Sequence, residues 1–140
     1  MASYEIEGDI EMSADALWRV LRDFGDVSWI PGNPDYESEG EGVGMVRTIR
    51  TRSLPTVRER LDAIDEESRT VHYRVLDGNP MPVDDYRASM RAVDLGKGRS
   101  RLVWRSTWEP KDVSEEDARK AVHGLYSGVL RAVQKNLARR

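Results

Sequence analysis

The chain has 140 residues, of which 34% are charged and 39% hydrophobic, and it carries a net charge of -3. This length favours one domain, residues 1–140, with a hydrophobic core of its own. Without cysteine there is no disulfide, thiolate nucleophile or cysteine metal ligand. The interspersed charges give no basic field for nucleic acid, and no apolar run approaches the about 18 residues of a membrane span. We therefore expect a cytoplasmic protein with no membrane span and no nucleic-acid partner.

The first elements follow from local periodicity. Residues 4–12 alternate between apolar and acidic side chains, which predicts a half-buried strand. Ser13 suits the N-cap of a helix over residues 14–24, because apolar residues recur there at helical spacing. A second short helix is expected around residues 26–30, before prolines and glycines break the chain.

Further strands fill the middle of the chain. Glycine-rich or polar turns separate segments that alternate with a period of two residues. Because the turns are short and the strands follow one another, an antiparallel meander is favoured over parallel units. The segments cover residues 45–53, 56–67, 69–77, 84–95 and 99–110.

A long amphipathic helix is predicted from Ser114 onwards, where the period changes. Ser114 and the acids after it are typical of a helix N-terminus, and Lys135, Arg139 and Arg140 load the other end. Gly124 and Gly128 lie one turn apart in this helix. We expect them to bring the helix and the sheet close together or to leave volume for a ligand. The apolar stripe consists of Ala118, Val122, Leu125, Tyr126, Val129, Val133 and Leu137.

Glu59 is an anomaly in its strand, because it shares an apolar row with Val57, Leu61 and Ala63. Alternation places Arg47 in the apolar row of the preceding strand. Two opposite charges are therefore expected on the buried face of neighbouring strands. They either form a structural ion pair or belong to pocket chemistry, unless a bulge shifts the alternation.

Alternation also sorts the remaining strand residues into two faces. His72 is expected to face out, His123 lies at the helix boundary, and neither has metal-ligand spacing with the acidic residues. The inward rows are rich in tryptophan and tyrosine, which pack an ordinary core as readily as they line a ligand site. These rows are Met45, Ile49 and Thr51; Val71, Tyr73 and Val75; Tyr86, Ala88, Met90 and Ala92; and Leu102, Trp104, Ser106 and Trp108.

Several segments resemble a known family. The stretches "ALWRVLRDFGDVSWIPG", "EGEGVGMVRTIR", "LPTVRERLDAID" and "RTVHYRVLDG", with the terminal helix, resemble the START-like SRPBCC superfamily, and its polyketide cyclase/dehydrase-type branch most. The resemblance implies an α+β helix-grip fold. In this fold a seven-stranded antiparallel sheet wraps around a long C-terminal helix, and two short helices follow the first strand. It also implies a deep cavity between the sheet and the long helix.

The implied cavity turns inward residues into site candidates. Glu59 becomes an acid–base candidate, Arg47 a group to stabilise an enolate or carboxylate, and Tyr73 a group to polarise a carbonyl. Trp104 and Trp108 are expected to stack on a flat ligand. The ligand-binding candidates are Met45, Ile49, Leu61, Val75, Tyr86, Ala88, Met90, Trp104, Ser106, Trp108, Val122, Tyr126 and Val129.

Two functions follow from such a site. One is cyclisation, aromatisation or dehydration of a polyketide-like substrate by acid–base catalysis, without cofactor or metal. The alternative is a non-catalytic carrier or sensor of a lipid-like or hormone-like ligand, with residues 52–56 as a lid. A third possibility, a protein-binding module, has little support beyond Trp29 and Ile30, which also suit a cap over the pocket entrance. In each of the first two cases we expect a hydrophobic small-molecule partner and a monomer or homodimer.

Overall fold

The computed structural model describes residues 1–138, so the predicted basic end at Arg139 and Arg140 lies outside the described residues. Two helices and seven strands make up this part of the chain. In chain order they are β1 (Ala2–Ile10), α1 (Ala14–Arg22), β2 (Asp35–Glu39), β3 (Val46–Arg50), β4 (Val57–Asp65), β5 (Thr70–Asp77), β6 (Val83–Gly96), β7 (Arg99–Pro110) and α2 (Glu115–Leu137).

The seven strands form one antiparallel sheet in the order β1-β7-β6-β5-β4-β3-β2. The chain is a meander from β2 to β7, and β1 closes the far edge beside β7. Helix α2 packs across β1 and β7, with α1 against β5, β6 and β7. The predicted helix-grip architecture is confirmed, and the concave face of the sheet is the one covered by α2.

Helix α1 forms where its cap and its apolar face predict it. Ser13 Oγ accepts a hydrogen bond from the Ala16 N–H at 3.1 Å, which satisfies one of the exposed N–H groups of the first turn. Leu17, Trp18 and Leu21 bury the side that faces the core. The helix ends at Arg22, two residues before the predicted end.

Residues 26–30 form turns, so the expected second short helix is wrong. In a helix the Ile30 N–H would donate to the Asp26 carbonyl, whereas here it donates to Val27 O at 3.0 Å. The Asp26 carbonyl accepts from Trp29 Nε1–H at 3.0 Å, and its carboxylate accepts from the Ser28 N–H at 2.9 Å. Such local bonds compete with helix formation.

A bulge in β4 changes the alternation after Leu61. The register pairs Leu61 with Tyr73, then Ala63 with His72 and Ile64 with Val71. Ala63 therefore shares a face with the exposed His72, and Ile64 packs on the core instead. The expected inward position of Ala63 is wrong, because an extra residue in one strand reverses every side chain beyond it.

The close approach between α2 and the sheet occurs at Gly8, not at the helix glycines. A Cβ atom at Gly8 would lie 3.0 Å from Leu130 Cδ2 and 2.8 Å from Gln134 Nε2. Gly124 and Gly128 lie on the exposed side of α2, and a Cβ at either would meet nothing within 4 Å. The predicted role of these two glycines in helix–sheet contact is therefore wrong.

Candidate functional site

A cavity of about 190 Å³ lies between the concave face of the sheet and helix α2. Its wall is largely apolar and aromatic, which is the usual composition of a small-molecule site. Strands β3 to β7 contribute one side and α2 the other. Ten of the predicted site residues line it: Arg47, Ile49, Glu59, Tyr73, Val75, Tyr86, Met90, Trp104, Tyr126 and Val129.

The other predicted site residues pack away from the cavity. Trp108 is fully buried at the end of β7, opposite Ala2 of β1, so the expected stacking of Trp108 on a ligand has no place here. The inward-facing side chains of each strand extend beyond the cavity at one or both ends. Alternation shows which face a residue lies on, but not whether it packs in the core or lines the cavity. The residues that contribute to the core instead of the lining are Met45, Leu61, Ala88, Ser106, Trp108 and Val122.

Loops supply most of the lining that the sequence did not reveal. Trp29 and Ile30, which also suit a cap over the pocket entrance, are among the lining residues. Pro31 and residues 54–55 and 79–81 had no periodic signal to place them, whereas Thr51, Val57 and Leu125 belong to rows that alternation or helical spacing had already marked. The additional lining residues are Pro31, Thr51, Leu54, Pro55, Val57, Asn79, Pro80, Met81 and Leu125.

Arg47 and Glu59 form a buried ion pair in the cavity wall. They are opposite each other in the register of β3 and β4, and Arg47 Nε donates to Glu59 Oε1 at 2.8 Å. Their side chains are only 5% and 11% exposed. The alternation in the sequence therefore placed both charges correctly, and the two roles left open for them are compatible, because the paired residues also line the cavity.

The Arg47 guanidinium is held from three sides. Besides Glu59, its Nη1 donates to the Phe24 carbonyl at 3.2 Å. Its central carbon lies 3.8 Å from the centroid of the Phe24 ring and 5.3 Å from that of Tyr73, both within cation–π range. Arg47 is therefore a fixed positive charge.

Tyr73 is a neutral hydrogen-bond donor at physiological pH. Burial raises the pKa of its phenol well above 10, and the nearby Glu59 carboxylate raises it further. Trp104 Nε1–H donates to the Tyr73 oxygen at 3.1 Å. Among the described residues no acceptor takes the Tyr73 hydrogen, so this O–H can donate to a molecule in the cavity.

Trp104 presents only one ring face to the cavity side. Its other face stacks on Tyr126, with ring centroids 3.5 Å apart and planes 6° from parallel. The Tyr126 hydroxyl is hydrogen-bonded to the Tyr86 hydroxyl. Burial raises the pKa of both of these phenols as well, so they too are neutral.

Neither histidine takes part in the cavity. His72 is exposed on the outer face of the sheet, and His123 contacts the Tyr4 hydroxyl on the exposed side of α2. Within residues 1–138 no three histidine, aspartate or glutamate side chains lie close enough to hold a metal ion. No helix in the same range is long and apolar enough to cross a membrane.

Solved structures share this architecture. An uncharacterized protein from Bacillus thuringiensis is 26% identical, with a TM-score of 0.81 over 97% of this chain and 98% of that chain. XoxI from Bacillus cereus is 26% identical, with a TM-score of 0.79 over 98% and 96%. Norcoclaurine synthase from Thalictrum flavum, solved with dopamine and hydroxybenzaldehyde, is 20% identical, with a TM-score of 0.72 over 96% and 84%, and shows the fold alone. No curated protein matches the chain in sequence.

The family described as polyketide cyclase/dehydrase and lipid transport matches residues 1–138. This match covers every described element, from β1 to α2, and it agrees with the helix-grip architecture and with a cavity under the long helix. The chain therefore belongs to the polyketide cyclase/dehydrase and lipid transport family and is a ligand-binding protein of the SRPBCC superfamily.

Proposed function

We propose that the cavity binds a small, ring-containing hydrophobic molecule that carries an oxygen function. The observation that carries this proposal is a largely apolar cavity in which a neutral donor, the Tyr73 O–H, lies beside a fixed cation, Arg47. The ring contacts Ile49, Met90 and Val129, while the ligand oxygen accepts a hydrogen bond from the Tyr73 O–H. The positive charge of Arg47 favours an electron-rich oxygen at this end.

The volume limits the size of the ligand. Drug-sized ligands occupy pockets of roughly 300–1,000 Å³, whereas benzene enters an apolar cavity of about 150 Å³. At about 190 Å³ the cavity is closer to the second case. We therefore favour one ring, or two fused rings, over a larger polycyclic substrate or the long acyl chain of a lipid. Norcoclaurine synthase, solved with dopamine and hydroxybenzaldehyde, shows that a protein of this fold binds single-ring molecules.

Turnover is a second candidate function, favoured by the carboxylate of Glu59 in the cavity wall. Glu59 would take the proton from the carbon next to a ligand carbonyl while Tyr73 donates to the carbonyl oxygen. The enolate would then expel a hydroxyl group from the next carbon, which leaves as water with the proton from Glu59. This dehydration needs no cofactor and returns Glu59 to its starting state. We rank binding without turnover above this reaction, because Glu59 Oε1 already accepts a hydrogen bond from Arg47.

A cavity-filling variant tests the binding proposal. Val129→Phe places a larger side chain in the cavity, while Val103→Phe makes the same change on the outer face of β7. We expect native mass spectrometry, with a panel of single-ring ketones, to show 1:1 complexes for the parent and Val103→Phe but not for Val129→Phe. Complexes that persist in Val129→Phe would place the ligand elsewhere and overturn the proposal.

Glu59→Gln separates turnover from binding, because it keeps the size of the side chain and removes the base. If a ligand of the cavity is dehydrated by the parent, the variant should bind it and release no product. Turnover at the parent rate would remove Glu59 from the chemistry. A bound ligand that the parent returns unchanged would support the carrier or sensor reading.

A further inference from the structure

The charge in the cavity wall is confined to one ion pair. Arg47 and Glu59 are the only charged side chains among the described residues that line the cavity. They lie opposite each other in the register of β3 and β4, and both are largely removed from solvent. Because the two charges balance, a charged ligand would bring a further charge into the wall without a partner for it.

The ion pair leaves one oxygen of Glu59 unused. Oε1 accepts from Arg47 Nε at 2.8 Å, whereas Oε2 has no hydrogen-bond partner among residues 1–138. Oε2 does not belong to the side-chain polar atoms that are both fully buried and unpartnered, so it keeps accessible surface. Since Glu59 lines the cavity, this oxygen is an acceptor within reach of a ligand.

The same pair leaves one nitrogen of Arg47 unused. Nε donates to Glu59 and Nη1 donates to the Phe24 carbonyl, but Nη2 has no acceptor among residues 1–138. Like Oε2, Nη2 is not fully buried. Nη2 shares the guanidinium carbon with Nε, and Oε2 shares the carboxyl carbon with Oε1. The free donor and the free acceptor therefore lie a few ångströms apart on a single ion pair.

The Glu59 carboxylate acts across the cavity. Burial is the main cause of the raised pKa of Tyr73, Tyr86 and Tyr126, and the negative charge of Glu59 adds to it in each of them. The three phenols come from β5, β6 and α2, and all of them line the cavity. The carboxylate is therefore within electrostatic reach of the opposite wall.

We propose that the ion pair recognises a neutral head group in which a carbonyl oxygen lies beside an O–H or N–H donor. This inference rests on the proposed function and names its ligand class: a ring with a hydroxyketone or carboxamide head. The carbonyl oxygen accepts from Arg47 Nη2 and the Tyr73 O–H, and the neighbouring group donates to Glu59 Oε2. A simple ketone leaves Oε2 without a partner. A carboxylate places a second negative charge beside Glu59, and an ammonium group places a second positive charge beside Arg47.

Three probes that differ at one position test the head group. 1,4-Diacetylbenzene carries a methyl group beside one carbonyl, where 4-acetylbenzamide carries NH₂ and 4-acetylbenzoate carries O⁻. 1,4-Diethylbenzene has a similar shape without polar atoms and reports the apolar contacts. The affinities are measured by titration of ¹⁵N-labelled protein followed by NMR.

Glu59→Gln is the matching variant. Its amide oxygen has to accept from Arg47 Nε, so its NH₂ group takes the place of Oε2 and offers a donor instead of an acceptor. Glu41→Gln makes the same change at an exposed residue outside the cavity and serves as control.

The parent should bind 4-acetylbenzamide about tenfold more tightly than 1,4-diacetylbenzene, and 4-acetylbenzoate about tenfold more weakly, as a hydrogen bond to a charged group implies. Glu59→Gln should lose the preference for the amide over the ketone and bind 4-acetylbenzoate more tightly than the parent does. Glu41→Gln should keep the parent order. Affinity for 1,4-diethylbenzene should change less than about twofold in either variant.

A signal of the ligand itself tests the same contact in the parent, whether or not Glu59→Gln folds. In bound ¹⁵N-labelled 4-acetylbenzamide, one of the two N–H protons should shift downfield, because it donates to a carboxylate. Three results would each overturn the head-group assignment: unshifted N–H protons, equal affinity of the parent for amide and ketone, or tightest binding of the carboxylate. The binding proposal would stand in these cases if Val129→Phe abolishes binding of the ketone. If the parent binds none of the probes, both proposals fail.

Discussion

Arg47 on β3 and Glu59 on β4 pair across neighbouring strands with a distance of 2.8 Å between Nε and Oε1, inside a wall that is largely apolar and aromatic. A pair this deeply buried gains little net stability, since its Coulomb energy is offset by the loss of hydration. Its presence in the cavity wall agrees better with ligand recognition than with stability. Under the proposed binding function, the carboxylate neutralises Arg47 in the empty cavity, and a polar ligand would share this charge.

Removal of one member of this pair should be costly. Arg47→Met or Glu59→Gln leaves one buried charge uncompensated, so we expect a loss of about 3–5 kcal/mol in the free energy of unfolding. The double variant Arg47→Met/Glu59→Gln should lose much less than the sum of the two single losses, because neither charge is then left without its partner. Arg105→Met, which breaks the exposed pair with Glu5, serves as control and should cost less than about 1 kcal/mol. Additive losses in urea denaturation would show that the two side chains do not interact.

Tyr73→Phe should separate recognition from packing. The variant removes the O–H that donates to the ligand and the oxygen that accepts from Trp104. We expect about tenfold weaker binding of 1,4-diacetylbenzene and a loss of about 1–3 kcal/mol in stability. Affinity for 1,4-diethylbenzene should stay within about twofold, because the ring contacts remain. A parallel loss for both probes would mean that Tyr73 only shapes the cavity.

Stability should fall at high pH because the buried phenols resist ionisation. Burial raises the pKa of Tyr73, Tyr86 and Tyr126, so the folded state keeps each of them protonated. In the unfolded chain a tyrosine ionises near pH 10. Their contribution is therefore complete below about pH 10 and is lost as the pH rises through 10 towards the folded values.

The tyrosinate absorbance near 295 nm checks this pH dependence. We expect these phenols to ionise together with unfolding above about pH 10, and Tyr73→Phe to show a shallower loss of stability with pH. Full ionisation of all five tyrosines near pH 10 in a chain that keeps its native circular dichroism would contradict the burial of the three phenols.

Two glycines should respond to alanine in opposite directions. Gly124 lies in α2 with open space around its Cα, so Gly124→Ala should stabilise the helix by about 0.5–1 kcal/mol. Gly78→Ala combines a positive φ with a backbone clash and should cost more than about 2 kcal/mol. Thermal unfolding measures both changes. An unchanged melting temperature in Gly78→Ala would show that the backbone at Gly78 does not pack against the Thr56 carbonyl.

The sequence predicted the strand-borne part of the site better than the rest. Alternation placed Arg47, Glu59 and Tyr73 on the buried face correctly. A shift of one residue in the assignment would turn the whole apolar row towards solvent, so only one assignment fits each strand. It did not reveal the bulge after Leu61, since a bulge inserts a residue without a compositional mark. The architecture itself came from the resemblance, which the family match and the solved structures confirm.

The loop-borne part of the site could not be predicted in the same way. Trp29, Asn79 and Met81 reach the cavity from segments without periodicity, where position depends on turn geometry. The volume also depends on which bulky side chains pack together. Trp104 and Tyr126 stack on each other, so the two rings fill part of the space between sheet and helix that their inward positions had suggested for a ligand.

The most direct test of the account is the response of the tryptophan indole N–H signals to 1,4-diacetylbenzene in ¹H–¹⁵N NMR spectra. Trp104 lines the cavity and donates to Tyr73, whereas Trp18 donates to Glu66 outside the lining. The account predicts a saturable shift of the Trp104 signal, abolished in Val129→Phe, with the Trp18 signal unchanged. A Trp104 signal that does not move up to the solubility limit of the probe, or a shift that survives in Val129→Phe, would contradict it.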